Sequence, residues 1–227
     1  MKQGILYGVG VGPGDPELLT LKAMRLIRDC DLVAIPKKKE NCFALRIAEG
    51  AVPELSAKPV LELVLPMTRD PEERAKAQDA AAAALAAELR KGHTAVFLTL
   101  GDPSIYSTWG YLFQRLCEMG CEAETVPGVP SFCAAAASLG ISLCEDREEL
   151  HILPGGTNAE QGLQYSGTRV FMKGQIPALL CAAEELGQPL LGAENCGTEQ
   201  ERLYHSSEEI PADAGYYTLI IAKEQKQ

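Results

Sequence analysis

The feature that most constrains this chain is a regular exchange of two hydrophobic periods. Short, unbroken apolar runs alternate with stretches in which apolar residues recur every three or four positions, and glycine or proline marks most of the changes. Ile5-Leu6-Tyr7-Gly8-Val9-Gly10 is the first run, and a helical pattern follows over 18–27, with Leu18, Leu21, Met24 and Leu26 or Ile27 toward one side. Asp15 stands where it can cap that helix, Pro16 suits its first position, and Glu17 complements the positive end of the helix dipole. The runs 32–35, 60–65, 95–100 and 123–126 read as further strands. The stretches 44–49, 71–91, 109–118 and 131–138 read as helices, the second of them alanine-rich and stopped by Gly92. An apolar run without polar alternation belongs to a strand covered on both faces, and strands joined through helices pair in parallel. The pattern predicts an α/β fold.

Past Gly140 the exchange resumes, with strands at 150–153, 169–172 and 190–193 and helices at 159–163 and 177–186. The last runs, 202–205 and 217–222, have no helix before them, so antiparallel pairing is expected there. Two α/β lobes are expected, 1–126 and 127–227, closely packed because no low-complexity linker divides them. A chain of 227 residues, 46% hydrophobic and 23% charged, has the apolar content of an ordinary globular protein with a sizeable core. No apolar run approaches the length of a membrane span, and Met1-Lys2-Gln3-Gly4 leads into a strand without a signal-peptide layout, so a cytoplasmic protein with no membrane partner is expected. Lysine and arginine number 21 against 31 aspartates and glutamates, and the resulting charge of -10 disfavours nucleic acid as a partner. None of the eight cysteines forms Cys-x-x-Cys, and most read as small core residues. Cys117 and Cys121 lack a second pair, and His93, His151 and His205 stand isolated, so no protein-bound metal is expected.

Three strand ends carry the motifs. The first is Gly8-Val9-Gly10-Val11-Gly12-Pro13-Gly14-Asp15. A dinucleotide fingerprint, Gly-x-Gly-x-x-Gly, fails in both frames, because Pro13 takes the last place counted from Gly8 and Asp15 takes it counted from Gly10. Asp15 would face a phosphate at a helix N-terminus, and the second strand ends in Pro36-Lys37 with no acid for a ribose. A neutral or cationic ligand fits better. The second motif, Gly101-Asp102-Pro103, puts a carboxylate at a strand end, where a turn is the plain alternative. The third, Val126-Pro127-Gly128-Val129-Pro130-Ser131-Phe132, leads into a helix whose Ala134 to Ala137 allow close approach of backbone. Three glycine-bearing strand-end loops on one face point to a shared site.

In this order and at this spacing, Gly-x-Gly-x-Gly-Pro-Gly-Asp, Gly-Asp-Pro-x-x-Tyr and Pro-Gly-x-x-Ser-Phe resemble the tetrapyrrole methylase family over essentially the whole chain. The resemblance implies two α/β lobes with S-adenosylmethionine in the cleft between them, a tetrapyrrole substrate and a homodimer. The longer strings around these motifs are most similar to the branch that methylates C20 of precorrin-2 or cobalt-factor II in corrin biosynthesis. By the same resemblance Pro13 borders the cofactor, while Gly101, Asp102, Ile105 and Tyr106 line the floor of its pocket. Ser131 and Phe132 contact it next, Met172 packs on the adenine, and Cys196 and Gly197 bind it through the backbone. Tyr217 and Thr218 complete the set.

A sulfonium cofactor agrees with a carboxylate, aromatic faces and no phosphate cradle. Methyl transfer to a meso carbon requires alignment rather than a protein nucleophile. A base must remove the C20 proton, and Asp102 and Tyr106 are the candidates by position, with water as the alternative. The carboxylates of such a substrate call for local cations, for which Lys37-Lys38-Lys39, Arg69 and Lys173 are the candidates. Any cobalt would arrive with the substrate. Other readings are the same fold with another acceptor, such as a different corrin position or uroporphyrinogen III, a nicotinamide-dependent oxidoreductase, and a cofactor-free binding module.

Overall fold

Strands β2 (Leu32–Ile35) and β4 (Ala95–Thr99) are buried along their whole length because helices cover both faces of the sheet that holds them. The protein is described by a computed structural model over residues 3–36, 39–66, 68, 70–173 and 175–224. With β1 (Ile5–Gly10), β3 (Val60–Glu62) and β5 (Glu122–Val126), these strands form a parallel sheet in the order β3-β2-β4-β1-β5. The period-two alternation of strand side chains sorts Val9, Val33, Ile35, Val96 and Leu98 to one face, against α1 (Leu21–Asp29) and α2 (Phe43–Ala51). It sorts Leu6, Leu32, Ala34, Ala95 and Phe97 to the other, against α3 (Pro71–Arg90) and α4 (Trp109–Glu118). Each fully buried large side chain contributes about 1.5–3 kcal/mol. Strands β1 and β4 are neighbours, yet β1 leads into a helix on one face and β4 into a helix on the other. Loops diverge at such a point, and a crevice opens at the carboxyl ends of the two strands.

The helix expected over 18–27 starts later. Asp15 caps only a single 3-10 turn, Pro16–Leu18, accepting the Glu17 N–H at 2.8 Å. Leu19 returns to extended backbone, and Thr20 caps α1 by accepting the Ala23 N–H at 3.1 Å. Ala23 and Ile27, one turn apart, form the buried stripe. Leu21 lies about 200° around the helix from Ala23 and is 85% exposed, so its expected place on the apolar side is corrected. The strand expected over 60–65 ends at Glu62, because β2 is followed by Pro36, which has no N–H to continue the ladder.

Contacts divide the chain into two units, Met1–Pro130 and Ser131–Gln227. The division falls after Pro130 rather than after Val126 because the Gly128 N–H donates to Asp102 Oδ2 at 2.9 Å and holds its loop to the first unit. The second unit contains α5 (Ser131–Leu139), β6 (Leu150–Leu153), α6 (Ala159–Leu163), β7 (Thr168–Met172), α7 (Ile176–Glu185), β8 (Leu190–Glu194), β9 (Arg202–Tyr204) and β10 (Thr218–Ala222). Its sheet runs β6-β7-β10-β8-β9: β6 and β7 are parallel, β10 is antiparallel to both neighbours, and β8 and β9 are antiparallel. The antiparallel expectation is met, and the last strand in sequence lies in the middle. Helices α6 and α7 cover the face bearing Phe171, Leu190, Tyr204 and Ile220. Arg169, 2% exposed at the start of β7, donates to the Gly167 carbonyl and, at 2.6 Å, to Gln188 Oε1. Gln188 in turn donates to the Lys223 carbonyl at 2.7 Å and so ties down the end of β10. Among the described residues no helix is long and apolar enough to cross a membrane.

Candidate functional site

At the crevice between β1 and β4 the three glycine loops meet backbone on backbone. The Val11 N–H donates to the Thr99 carbonyl at 2.9 Å. Gly12 and Gly101 exchange two hydrogen bonds, of 3.3 and 2.8 Å, in an isolated antiparallel bridge. Their φ angles of 75° and 70° favour glycine. A Cβ on Gly10 would stand 2.6 Å from the Gly101 carbonyl oxygen, and one on Gly128 only 2.2 Å from the same atom. The amides of Val11, Gly12, Gly101 and Gly128 therefore all have acceptors within the protein. An anion cradle needs free N–H groups pointing at the ligand, and these four do not supply them. The geometry thus argues against a pyrophosphate, and with it against the nicotinamide reading.

Asp102 holds this junction together. Its Oδ1 accepts the N–H of Ser104 at 2.8 Å and the Ser104 hydroxyl, while Oδ2 accepts Gly128. Burial alone would raise its pKa, but the hydrogen bonds from the Ser104 hydroxyl and from the Gly128 and Ser104 amides outweigh it and leave the carboxyl below its ordinary value. A carboxylate so engaged is a weak base. The turn continues as the Ile105 N–H donates to the Asp102 carbonyl at 3.2 Å, and Tyr106 follows with φ 46°, in the left-handed region, and 56% exposed. Ser107 then supports the start of α4, its Oγ accepting the Trp109 N–H at 3.1 Å. Pro13 is buried in the first loop. Trp109 was given no part by the sequence, yet its ring lies against Gly8, where a Cβ would come within 2.2 Å of the indole, and its Nε1 donates to Thr125 Oγ1 at 2.7 Å. A glycine facing a bulky ring that lies beyond three further strands in sequence leaves no local signal.

In the second unit, Ser131 and buried Phe132 open α5. Met172 ends β7, in register with Leu219. The loop after β8 is bound back to the start of β10, where the Asn195 N–H donates to the Tyr217 carbonyl at 3.1 Å. Asn195 and Gly197 both have left-handed backbone, at φ 50° and 78°. Within this loop the Gly197 N–H donates to Glu201 Oε2 at 2.6 Å, and the Ser138 hydroxyl of α5 donates to the same oxygen at 3.4 Å. The Cys196 thiol is pushed up to about 12, first by burial and then by the Glu201 carboxylate that accepts its hydrogen bond. Met172, Cys196, Gly197 and Tyr217 thus gather at one end of this sheet. Thr218 joins them through its backbone only: it pairs with Glu194 and shares the face of Ile220, toward α7, whereas Met172 shares the opposite face with Leu219. Among the described residues its buried hydroxyl has no hydrogen-bond partner. On that side Thr218 lines a cavity of about 470 Å³ with Lys173, Gln175, Ile176, Pro177 and Tyr216. The Lys173 ammonium lies 4.9 Å from the centre of the Tyr216 ring. Lys37, Lys38 and Arg69 lie outside the described residues, and the Lys39 N–H donates to Glu62 at 2.9 Å.

Residues 5–211 match the family profile of the Tetrapyrrole (Corrin/Porphyrin) Methylases. The chain is 38% identical over 170 residues to the probable cobalt-precorrin-2 C(20)-methyltransferase of Methanocaldococcus jannaschii, covering 74% of this chain and 71% of that protein. It is 33% identical over 236 residues to the cobalt-precorrin-2 C(20)-methyltransferase of Salmonella typhimurium, covering 98% of this chain and 97% of that protein. Among solved structures, the uroporphyrin-III C-methyl transferase of Thermus thermophilus, complexed with S-adenyl homocysteine, superposes with a TM-score of 0.65 at 24% identity, over 97% of this chain and 98% of that one. At that identity the likeness is one of fold.

Proposed function

The chain belongs to the tetrapyrrole (corrin/porphyrin) methylase family, and on that premise we propose that it transfers the methyl group of S-adenosylmethionine to C20 of precorrin-2 or cobalt-factor II in corrin (cobalamin) biosynthesis. The observation that carries this reading is the likeness to a cobalt-precorrin-2 C(20)-methyltransferase over 98% of the chain. When bound, the cofactor supplies an electrophilic methyl carbon on a positively charged sulfur. The residues present fit such a group: the amides of Val11, Gly12, Gly101 and Gly128 are taken by acceptors within the protein, and the ionised Asp102 beside them favours a cation over an anion.

In the first unit the proposed contacts are Pro13, Gly101, Asp102, Ile105 and Tyr106. In the second they are Ser131, Phe132, Met172, Cys196, Gly197 and Tyr217, with Thr218 contributing backbone. The work of these residues is to hold the donor carbon in line with the acceptor, so rate comes from positioning. Asp102, engaged by three donors, keeps the crevice in shape. Removal of the C20 proton falls to the Tyr106 hydroxyl or to water. Lys37, Lys38, Lys39, Arg69 and Lys173 are the proposed partners of the macrocycle's carboxylates. A homodimer in the cytoplasm, without a metal of its own, completes the proposal.

The test is an anaerobic incubation with S-adenosylmethionine and either macrocycle, followed by mass spectrometry and NMR of the product. One added methyl at C20 is expected. Cofactor binding with neither macrocycle methylated would reassign the acceptor within the family, and a folded protein that does not bind S-adenosylhomocysteine would overturn the methyltransferase reading.

A further inference from the structure

Glu201 stands outside every motif that the sequence marks, yet three groups converge on its carboxylate. The Gly197 N–H donates to Oε2 at 2.6 Å and the Ser138 hydroxyl to the same atom at 3.4 Å. The same carboxylate adds to burial in raising the pKa of the Cys196 thiol. Two of these groups belong to the loop after β8, and the third lies on α5, the helix that Ser131 and Phe132 open. The antiparallel pairing of Glu194 with Arg202 closes the base of the loop. Asn195 and Gly197 have left-handed φ values, and the bond from Asn195 N–H to the Tyr217 carbonyl anchors the first residue. The bond from the Thr198 hydroxyl to the Asn195 carbonyl, at 2.9 Å, lies within the loop and fixes it to nothing outside.

We propose that Glu201 is the positioning residue of this cofactor loop, its carboxylate fastening the Cys196–Gly197 backbone to α5. The proposal rests on the reading that Cys196 and Gly197 touch the cofactor through their backbone. An ionised acceptor suits the task, because a charge-assisted hydrogen bond from a backbone N–H is about twice as strong as a neutral one. It holds the Gly197 N–H at 2.6 Å and with it the backbone of the Cys196–Gly197 segment. The side chain at 196 is withdrawn from chemistry: burial and the neighbouring carboxylate hold the thiol protonated, and it is the thiolate that attacks electrophiles.

The experiment is calorimetric titration of the full chain with S-adenosylhomocysteine, beside iodoacetamide labelling of Cys196 followed by mass spectrometry. Glu201→Ala is expected to raise Kd about ten- to hundred-fold, the range for losing a hydrogen bond to a charged group. Glu201→Gln retains an acceptor oxygen without the charge and is expected to recover part of that loss. In Glu201→Gln, with its melting temperature unchanged, Cys196 is expected to label faster at pH 8.5, because the carboxylate that helps burial hold the thiol protonated is gone. Should Glu201→Ala fail to fold, Glu201→Asp replaces it, because a carboxylate one methylene shorter is withdrawn from Gly197 and is expected to raise Kd about tenfold. Native protein that binds the ligand, together with folded variants that bind it equally well and label at the native rate, would overturn the positioning role alone. Native protein that does not bind would overturn the reading beneath it.

Discussion

Asp102 shows how a side chain picked out by its type can also carry a structural duty that the sequence does not state. Its carboxylate accepts hydrogen bonds from Ser104 and Gly128, and their combined effect keeps its pKa below the ordinary value despite burial. A depressed carboxyl contributes stability that is present above the unfolded pKa of about 3.9 and is lost as pH falls through the lower folded value. Asp102→Asn, which leaves one donor facing an amide NH2, is expected to cost about 1–3 kcal/mol in urea denaturation. The gap between native and variant chains should stay constant from pH 7 to pH 5 and shrink toward pH 3. The thiols provide a second test. Cys30 is raised to about 11, chiefly by burial, and Cys196 to about 12, whereas Cys117, Cys144 and Cys181 are exposed. Iodoacetamide at pH 8 is expected to modify Cys117, Cys144 and Cys181 first, and to reach Cys30 and Cys196 only after denaturation, as mass spectrometry of timed samples would show. Half of the cysteines are exposed, so composition alone overstated their place in the core. Neighbouring residues in sequence carry no record of which side chain folds back on them from a distant loop, and for that reason Glu201 and Trp109 were not legible while Gly101 and Asp102 were.

At the scale of elements, the glycine loops are joints between strands before they are anything else. Gly10→Ala and Gly128→Ala each drive a Cβ into the Gly101 carbonyl and are expected to cost about 1–3 kcal/mol, with weaker binding of S-adenosylhomocysteine by calorimetry. Gly110, in α4, has nothing within 4 Å of an added Cβ. Gly110→Ala should therefore stabilise the chain by about 0.5–1 kcal/mol, and urea denaturation of the three variants would separate conformational entropy from steric fit. Element types and most boundaries were legible, since unbroken apolar runs in a doubly covered sheet differ in period from helices. What was not legible was the start of α1. Asp15-Pro16-Glu17 satisfies every local rule for a helix start, but its turn ends after three residues, and Thr20 provides the cap that the longer helix uses. Strand order was likewise hidden, because periodicity reports which face of a strand is buried and says nothing about which strands lie beside it.

For the molecule as a whole, charge and chain order matter most. A net charge of -10 opposes the approach of a macrocycle that bears several carboxylates. Raising ionic strength from about 10 mM to about 150 mM shortens the screening length from roughly 30 Å to roughly 8 Å, so kcat/KM for the proposed substrate is expected to rise over that range in initial-rate assays. A fall would mean that local cations, with Lys37-Lys38-Lys39 the densest run, outweigh the net charge. The place of β10 between β7 and β8 has a consequence for the chain while it is being made. A ribosome delivers residues in order at about 5–20 per second, so the first sheet can close while the second still lacks its middle. Between the emergence of Glu194 and that of Thr218, for roughly one to five seconds, the inner edges of β7 and β8 have no partner and can pair with any other nascent chain. Slower translation across that interval lengthens the exposure of those edges, and faster translation shortens it.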